Sequence, residues 1–120
     1  DALEKAIELI SKKIEKKEIL TTGEIGKKIQ ETTESQGFLP IINLSGHQIE
    51  EYDLHAGLTI PNIDNRSTEI ISHGLYAIEP FVTNGNGKVI DGKPSGIYQL
   101  INTRFPRMPL ARKILEFISK

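Results

Sequence analysis

Gln36-Gly37-Phe38-Leu39-Pro40 divides this chain into a helical part and an extended part. Gly37 suits a helix C-terminus, because it takes up the left-handed backbone found there without a Cβ penalty. Pro40 then confines Leu39 to extended backbone, so the chain leaves this stretch as strand or loop. Upstream, residues 2–17 read as a helix. Leu3, Ile7, Ile10 and Ile14 recur at helical spacing and form one apolar stripe, with Lys and Glu opposite. Thr21 and Glu24 stand in capping-box spacing at the start of a second helix, and Ile25 and Ile29 continue its apolar face.

Downstream, residues 41–100 read as short strands joined by turns. Ile41-Ile42 and Thr59-Ile60 are brief apolar runs, and Glu69 to Ile78 forms a longer one with Gly74 as a bulge inside it. Asn84-Gly85-Asn86-Gly87 predicts a tight turn, with Lys88-Val89-Ile90 as its return strand. Asp91-Gly92 opens another turn, and Ile97-Tyr98-Gln99-Leu100 another strand. Pro106 and Pro109 break the chain beyond that strand, and Leu110 to Lys120 reads as a last helix. The order of helix, helix, strands, helix gives an α+β class with two helices on one face of a mostly antiparallel sheet.

The composition removes several kinds of chemistry. The 120 residues contain no cysteine, so disulfides, thiolate metal sites and cysteine nucleophiles are all excluded. Any metal must be held by His, Asp or Glu, ligands that suit Mn, Fe, Co or Zn. A net charge of -1 provides no electrostatic footprint for nucleic acid or an acidic membrane surface. The uncharged stretch from Gly37 up to Glu50 includes Pro40, Asn43, Ser45 and His47, and is too short and too polar to span a bilayer. No signal peptide is visible, and a cytoplasmic location fits. The chain opens on Asp1 rather than Met, which points to a fragment or a processed chain.

Two histidines lie among small residues, in Asn43-Leu44-Ser45-Gly46-His47 and in Leu54-His55-Ala56-Gly57. In one unbroken strand, positions 47 and 55 would stand about 26 Å apart at ~3.3 Å per residue. They share a site only if the chain turns or bulges between them. Glu79, in Ala77-Ile78-Glu79-Pro80-Phe81, ends an apolar run. A carboxylate there needs a partner, and either a metal ion or a salt bridge would serve. Asp53 and Asp64 lie in polar surroundings and read as surface residues rather than a bridging pair. There is no phosphate-binding glycine loop, no His-Glu-x-x-His and no nucleophile elbow.

Asn43-Leu44-Ser45-Gly46-His47, Leu54-His55-Ala56-Gly57, Ile60-Pro61-Asn62, Ala77-Ile78-Glu79-Pro80-Phe81 and Gly85-Asn86-Gly87 together resemble type II methionine aminopeptidases in order and spacing. His55-Ala56-Gly57 and Ile60-Pro61 favour the type II branch. The resemblance is strong over residues 37–100 and looser at both ends. It implies part of a pita-bread fold over residues 1–100, with residues 101–120 beginning the type II helical insertion. It implies two divalent metal ions (Co, Mn, Fe or Zn) held by two aspartates, a histidine and two glutamates. His47 matches the histidine ligand and Glu79 one glutamate, which would also fit proton handling. His55 matches the histidine that contacts substrate, and Leu54 a position lining the methionine pocket. The implied substrate is the N-terminal methionine of peptides and nascent proteins.

The family's aspartates lie upstream of this sequence and its last glutamate downstream, so the resemblance implies a missing half and an incomplete site that is inactive alone. Ser72-His73-Gly74 departs from the family's more usual Glu-Gly. The competing readings are a prolidase-like hydrolase and a metal-free relative of the fold that binds protein or RNA. His55-Ala56-Gly57 argues against the first. The joint presence of His47, His55 and Glu79 argues against the second.

Overall fold

The structure, a computed structural model, describes residues 1–98, 100–102 and 104–119. It forms two compact units, Asp1–Ile90 and Asp91–Lys120.

The first unit opens with α1 (Ala2–Glu15) and α2 (Thr22–Ser35). Lys17 adopts a left-handed φ of 55°, and the amides of Lys17 and Glu18 bond back to Ile14 and Lys13, which ends α1 two residues before the expected point. The capping box at the head of α2 is present as expected. The Thr21 hydroxyl accepts from the Glu24 amide, and the Glu24 carboxylate accepts from the Thr21 amide at 2.9 Å. Lys13 reaches Glu24 at 2.9 Å and ties the two helices together. The apolar stripe of α1 is rotated from the expected one. Ala6 is fully buried, with Ala2, Leu9 and Ile10 packed around it, while Leu3, Ile7 and Ile14 are exposed. A small residue at the crossing lets the backbones approach, so the contact follows Ala6 rather than the bulkier side chains.

Five short strands follow: β1 (Leu39–Pro40), β2 (Ser45–Ile49), β3 (Thr59–Pro61), β4 (Leu75–Ala77) and β5 (Val82–Thr83). They pair antiparallel as a three-stranded sheet ordered β3-β2-β4 and a two-stranded ribbon of β1 with β5. Ile25 and Ile29 of α2 meet Ile60 of β3, with Tyr76 and Ile78 packed alongside, so the helices cover one face of the sheet. Strand alternation sends His47, Ala77 and Glu79 to the other face.

The strands are shorter than the sequence suggested. Only Leu75–Ala77 of the 69–78 run joins the sheet, and Gly74 is a bend before it rather than a bulge within it. Upstream, Glu69 and Ile71 bond instead to the Thr22 amide and the Leu20 carbonyl. Pairing at the first extended segment involves Leu39–Pro40 rather than Ile41-Ile42. The turn after β5 forms, but Lys88-Val89-Ile90 is not a strand. The Asn43 side chain satisfies both backbone groups of Val89, donating to its carbonyl at 2.8 Å and accepting from its amide at 3.0 Å. An amide side chain thus replaces the neighbouring strand that Val89 would have needed.

In the second unit Ile97, Tyr98 and Leu100 lie outside any strand, and the Ile97 amide is taken by the Ser95 hydroxyl at 3.2 Å. Gln99 lies outside the described residues. The last helix, α3, spans Pro109–Ile118 with proline in its first turn, and Lys120 lies outside the described residues. Arg112 stacks its guanidinium 5.3 Å from the Phe105 ring. Among the described residues no helix is long and apolar enough to cross a membrane.

Candidate metal and substrate site

His47 is in the middle of β2, paired with Thr59 on one side and Ala77 on the other. A Cβ on Gly46 would fall 2.2 Å from the Ala77 carbonyl oxygen, so only glycine lets β2 and β4 meet at that point. The pairing with Ala77 brings Glu79, two residues further on and on the same face, beside the imidazole. His47 Nε2 and Glu79 Oε1 are 3.8 Å apart.

The imidazole has a defined direction. Its Nδ1 lies 3.2 Å from the Gln48 carbonyl oxygen, which can only accept, so the proton of that bond belongs to Nδ1. Nε2 is then the nitrogen that faces the Glu79 carboxyl. Either a proton on Nε2 or a cation between the two groups satisfies that carboxylate. Hydrogen bonding of the remote nitrogen to a carbonyl is also how ligating histidines are commonly oriented.

His55 reaches the site because the chain reverses after β2. Glu50 and Asp53 exchange backbone bonds of 2.9 and 3.1 Å, and Gln48 bonds to both Leu58 and Ala56. Gly57, at a φ of 73°, takes up the left-handed conformation that this double contact requires. The Asp53 carboxylate accepts from the His55 amide at 3.2 Å. The result places the two imidazole rings with centroids 4.3 Å apart and tilted by 58°. The extended-strand separation of about 26 Å therefore does not apply. His47 is 8% exposed, whereas His55 and Leu54 are open to solvent beside it.

The sequence-derived residues thus divide clearly. Glu79 and His55 each lie against His47, and Leu54 precedes His55 in the exposed loop. Asp53 and Asp64 are exposed and accept from backbone amides of His55 and Arg66, as surface turn residues do. His73 is exposed in the bend before β4. Among the described residues no group of three or more His, Cys, Asp or Glu could hold a metal ion. Sequence reasoning did not single out Asn62 as a site residue. It is 1% exposed just after β3, and its inclusion in the Ile60-Pro61-Asn62 stretch of the resemblance was the available signal.

No protein-family model matches the chain. Curated relatives do. A methionine aminopeptidase from Methanocaldococcus jannaschii is 50% identical over 102 residues, covering 84% of this chain and 35% of the relative. One from Thermococcus onnurineus is 44% identical over 122 residues, covering 100% of this chain and 39% of the relative. The crystal structure of a methionine aminopeptidase from Thermotoga maritima superposes with a TM-score of 0.55 at 34% identity, over 62% of this chain and 30% of that one. The chain therefore spans little more than a third of the length of the curated relatives it matches.

Proposed function

We propose that this chain, which belongs to the methionine aminopeptidase family with the α+β architecture of part of a pita-bread fold, supplies one wall of the active site of a metal-dependent aminopeptidase. The site removes the N-terminal methionine of peptides and nascent proteins in the cytoplasm. The carrying observation is the facing of His47 Nε2 and Glu79 Oε1 at 3.8 Å, with Nδ1 held by the Gln48 carbonyl.

An imidazole nitrogen and a carboxylate oxygen suit Mn, Fe, Co or Zn, and the gap between them is where positive charge is needed, so the residues fit a divalent ion. His47 through Nε2 and Glu79 through its carboxylate are its ligands from this chain. When bound, a pair of divalent ions supplies a hydroxide at neutral pH by lowering the pKa of water. Glu79 also stands where a carboxylate can pass a proton. His55, beside His47 and open to solvent, donates to the substrate's carbonyl oxygen as charge gathers there. Leu54, 59% exposed next to His55, offers apolar surface to the methionine side chain. Two aspartates and a second glutamate come from polypeptide outside these 120 residues, and residues 101–120 begin the type II helical insertion.

Two ligands hold metal weakly, since affinity rises with each ligand added to a preformed site. Calorimetric titration of Mn²⁺ tests this reading. The complete polypeptide should bind at micromolar levels and the 120-residue chain far more weakly. Equal affinity in the complete polypeptide and its His47→Ala variant would remove His47 from the ligand set.

A further inference from the structure

We infer that Asn62 is a positioning residue that holds the two metal ligands of this chain in register, an inference that rests on reading His47 and Glu79 as ligands. Neither residue is fixed by side-chain packing alone. Their separation depends on where two backbone segments lie, residues 44–47 leading into β2 and residues 77–81 leading out of β4. The pairing of His47 with Ala77 fixes the near end of both segments. The far end is fixed by Asn62.

The Asn62 carboxamide is 1% exposed and bonds in two directions. Its Nδ2 donates to the Leu44 carbonyl at 2.9 Å, and its Oδ1 accepts from the Phe81 amide at 3.1 Å. The Phe81 carbonyl is in turn held by the Ile41 amide at 2.9 Å. Glu79 is therefore two residues from Ala77, paired with His47, and two from Phe81, clamped on both of its polar groups. Leu44 is three residues before His47. β3 ends at Pro61, and one residue on the Asn62 side chain bonds to the Leu44 carbonyl, just beyond the last strand pair of Ser45 with Pro61. Only a carboxamide of this length donates and accepts at once here. Aspartate loses the donor at neutral pH, and leucine loses both groups and leaves two part-buried backbone partners unpaired.

The test uses the complete polypeptide carrying Asn62→Leu, with Ile29→Ala or a milder α2 core change selected for an equal fall in Tm as its control. Two properties are read: Mn²⁺ affinity, and the nuclear Overhauser contact between the His47 ring and the Glu79 side chain in the metal-free protein. Asn62→Leu should weaken Mn²⁺ binding roughly tenfold, the lower end of what outer-shell changes cost, and abolish the contact. The control should keep both. Losses in Asn62→Leu no larger than those in the control, or an unchanged contact, overturn the inference. A His47→Ala variant with undiminished Mn²⁺ affinity refutes the ligand reading itself, and the Overhauser contact then decides the role of Asn62 alone.

Discussion

Replacing Gly46 by alanine drives a methyl group into the backbone of the neighbouring strand. The new Cβ would meet the Ala77 carbonyl oxygen at 2.2 Å, the Ala77 carbonyl carbon at 3.2 Å and the Glu79 amide nitrogen at 3.1 Å. Ordinary contact begins near 3.4 Å, so β4 must retreat from β2 by about 1.2 Å. The clashing atoms are backbone and cannot rotate away. Overpacking of this kind costs about 1–3 kcal/mol. With a urea slope of roughly 1–3 kcal/mol per molar, the unfolding midpoint falls by about 1 M. The same displacement carries Glu79 away from His47, so metal affinity falls along with stability. Urea unfolding followed by circular dichroism, together with Mn²⁺ titration of the folded variant, measures both effects. A midpoint within about 0.2 M of wild type, with affinity unchanged, would refute the close approach of β2 and β4.

Thr33→Val should raise stability by roughly 0.5–1 kcal/mol, because the buried Thr33 Oγ1 has no hydrogen-bond partner among the described residues; a lower urea midpoint would show that the hydroxyl is satisfied. Tyr52 adopts a φ of 62° at the exposed tip of the 50–53 turn, so Tyr52→Gly should relieve about 1 kcal/mol of left-handed strain, less the entropy lost by glycine. A net destabilisation would mean the Tyr52 side chain makes compensating contacts. The Lys13 ammonium, joined by the Thr21 amide, holds the Glu24 carboxyl below its usual range. Its folded-state pKa is lower than its unfolded one, so its contribution is present above the unfolded value and is lost as pH falls through the folded value. Glu24 is 40% exposed, which limits the effect to below about 1 kcal/mol. The advantage of wild type over Glu24→Gln in chemical denaturation should therefore shrink on acidification below pH ~4; an advantage that grows instead would reverse the sign of the coupling.

The helices and the capping box were legible because their signals are local. Thr21 and Glu24 are three residues apart, and their reciprocal bonds need nothing from the rest of the chain. The strand ends were not, because they depend on distant partners. Val89 lies in an apolar run that reads as strand, yet the Asn43 side chain, 46 residues away, takes its backbone groups. The rotation of α1 onto Ala6 has the same origin, since periodicity reveals a face but helix crossing selects which residue is central. In the candidate site, residue types and order were readable from the family resemblance, whereas their geometry was not. The reversal through Glu50, Asp53 and Gly57 places His55 on His47. Asn62 was quoted within Ile60-Pro61-Asn62 but given no site role, because a polar residue following a proline looks like a loop until its burial is known.

His47, Glu79 and His55 are proposed to work together in an aminopeptidase completed by polypeptide outside these 120 residues. The most direct test is release of free methionine from a methionyl tripeptide by the complete polypeptide in the presence of Mn²⁺ or Co²⁺, beside its His47→Ala, Glu79→Gln and His55→Ala variants. Methionine release by the wild type that is lost on chelation and abolished or greatly reduced in all three variants is the expected result. Undiminished release in His47→Ala or Glu79→Gln, or no release by the complete metal-loaded polypeptide, would contradict the claim.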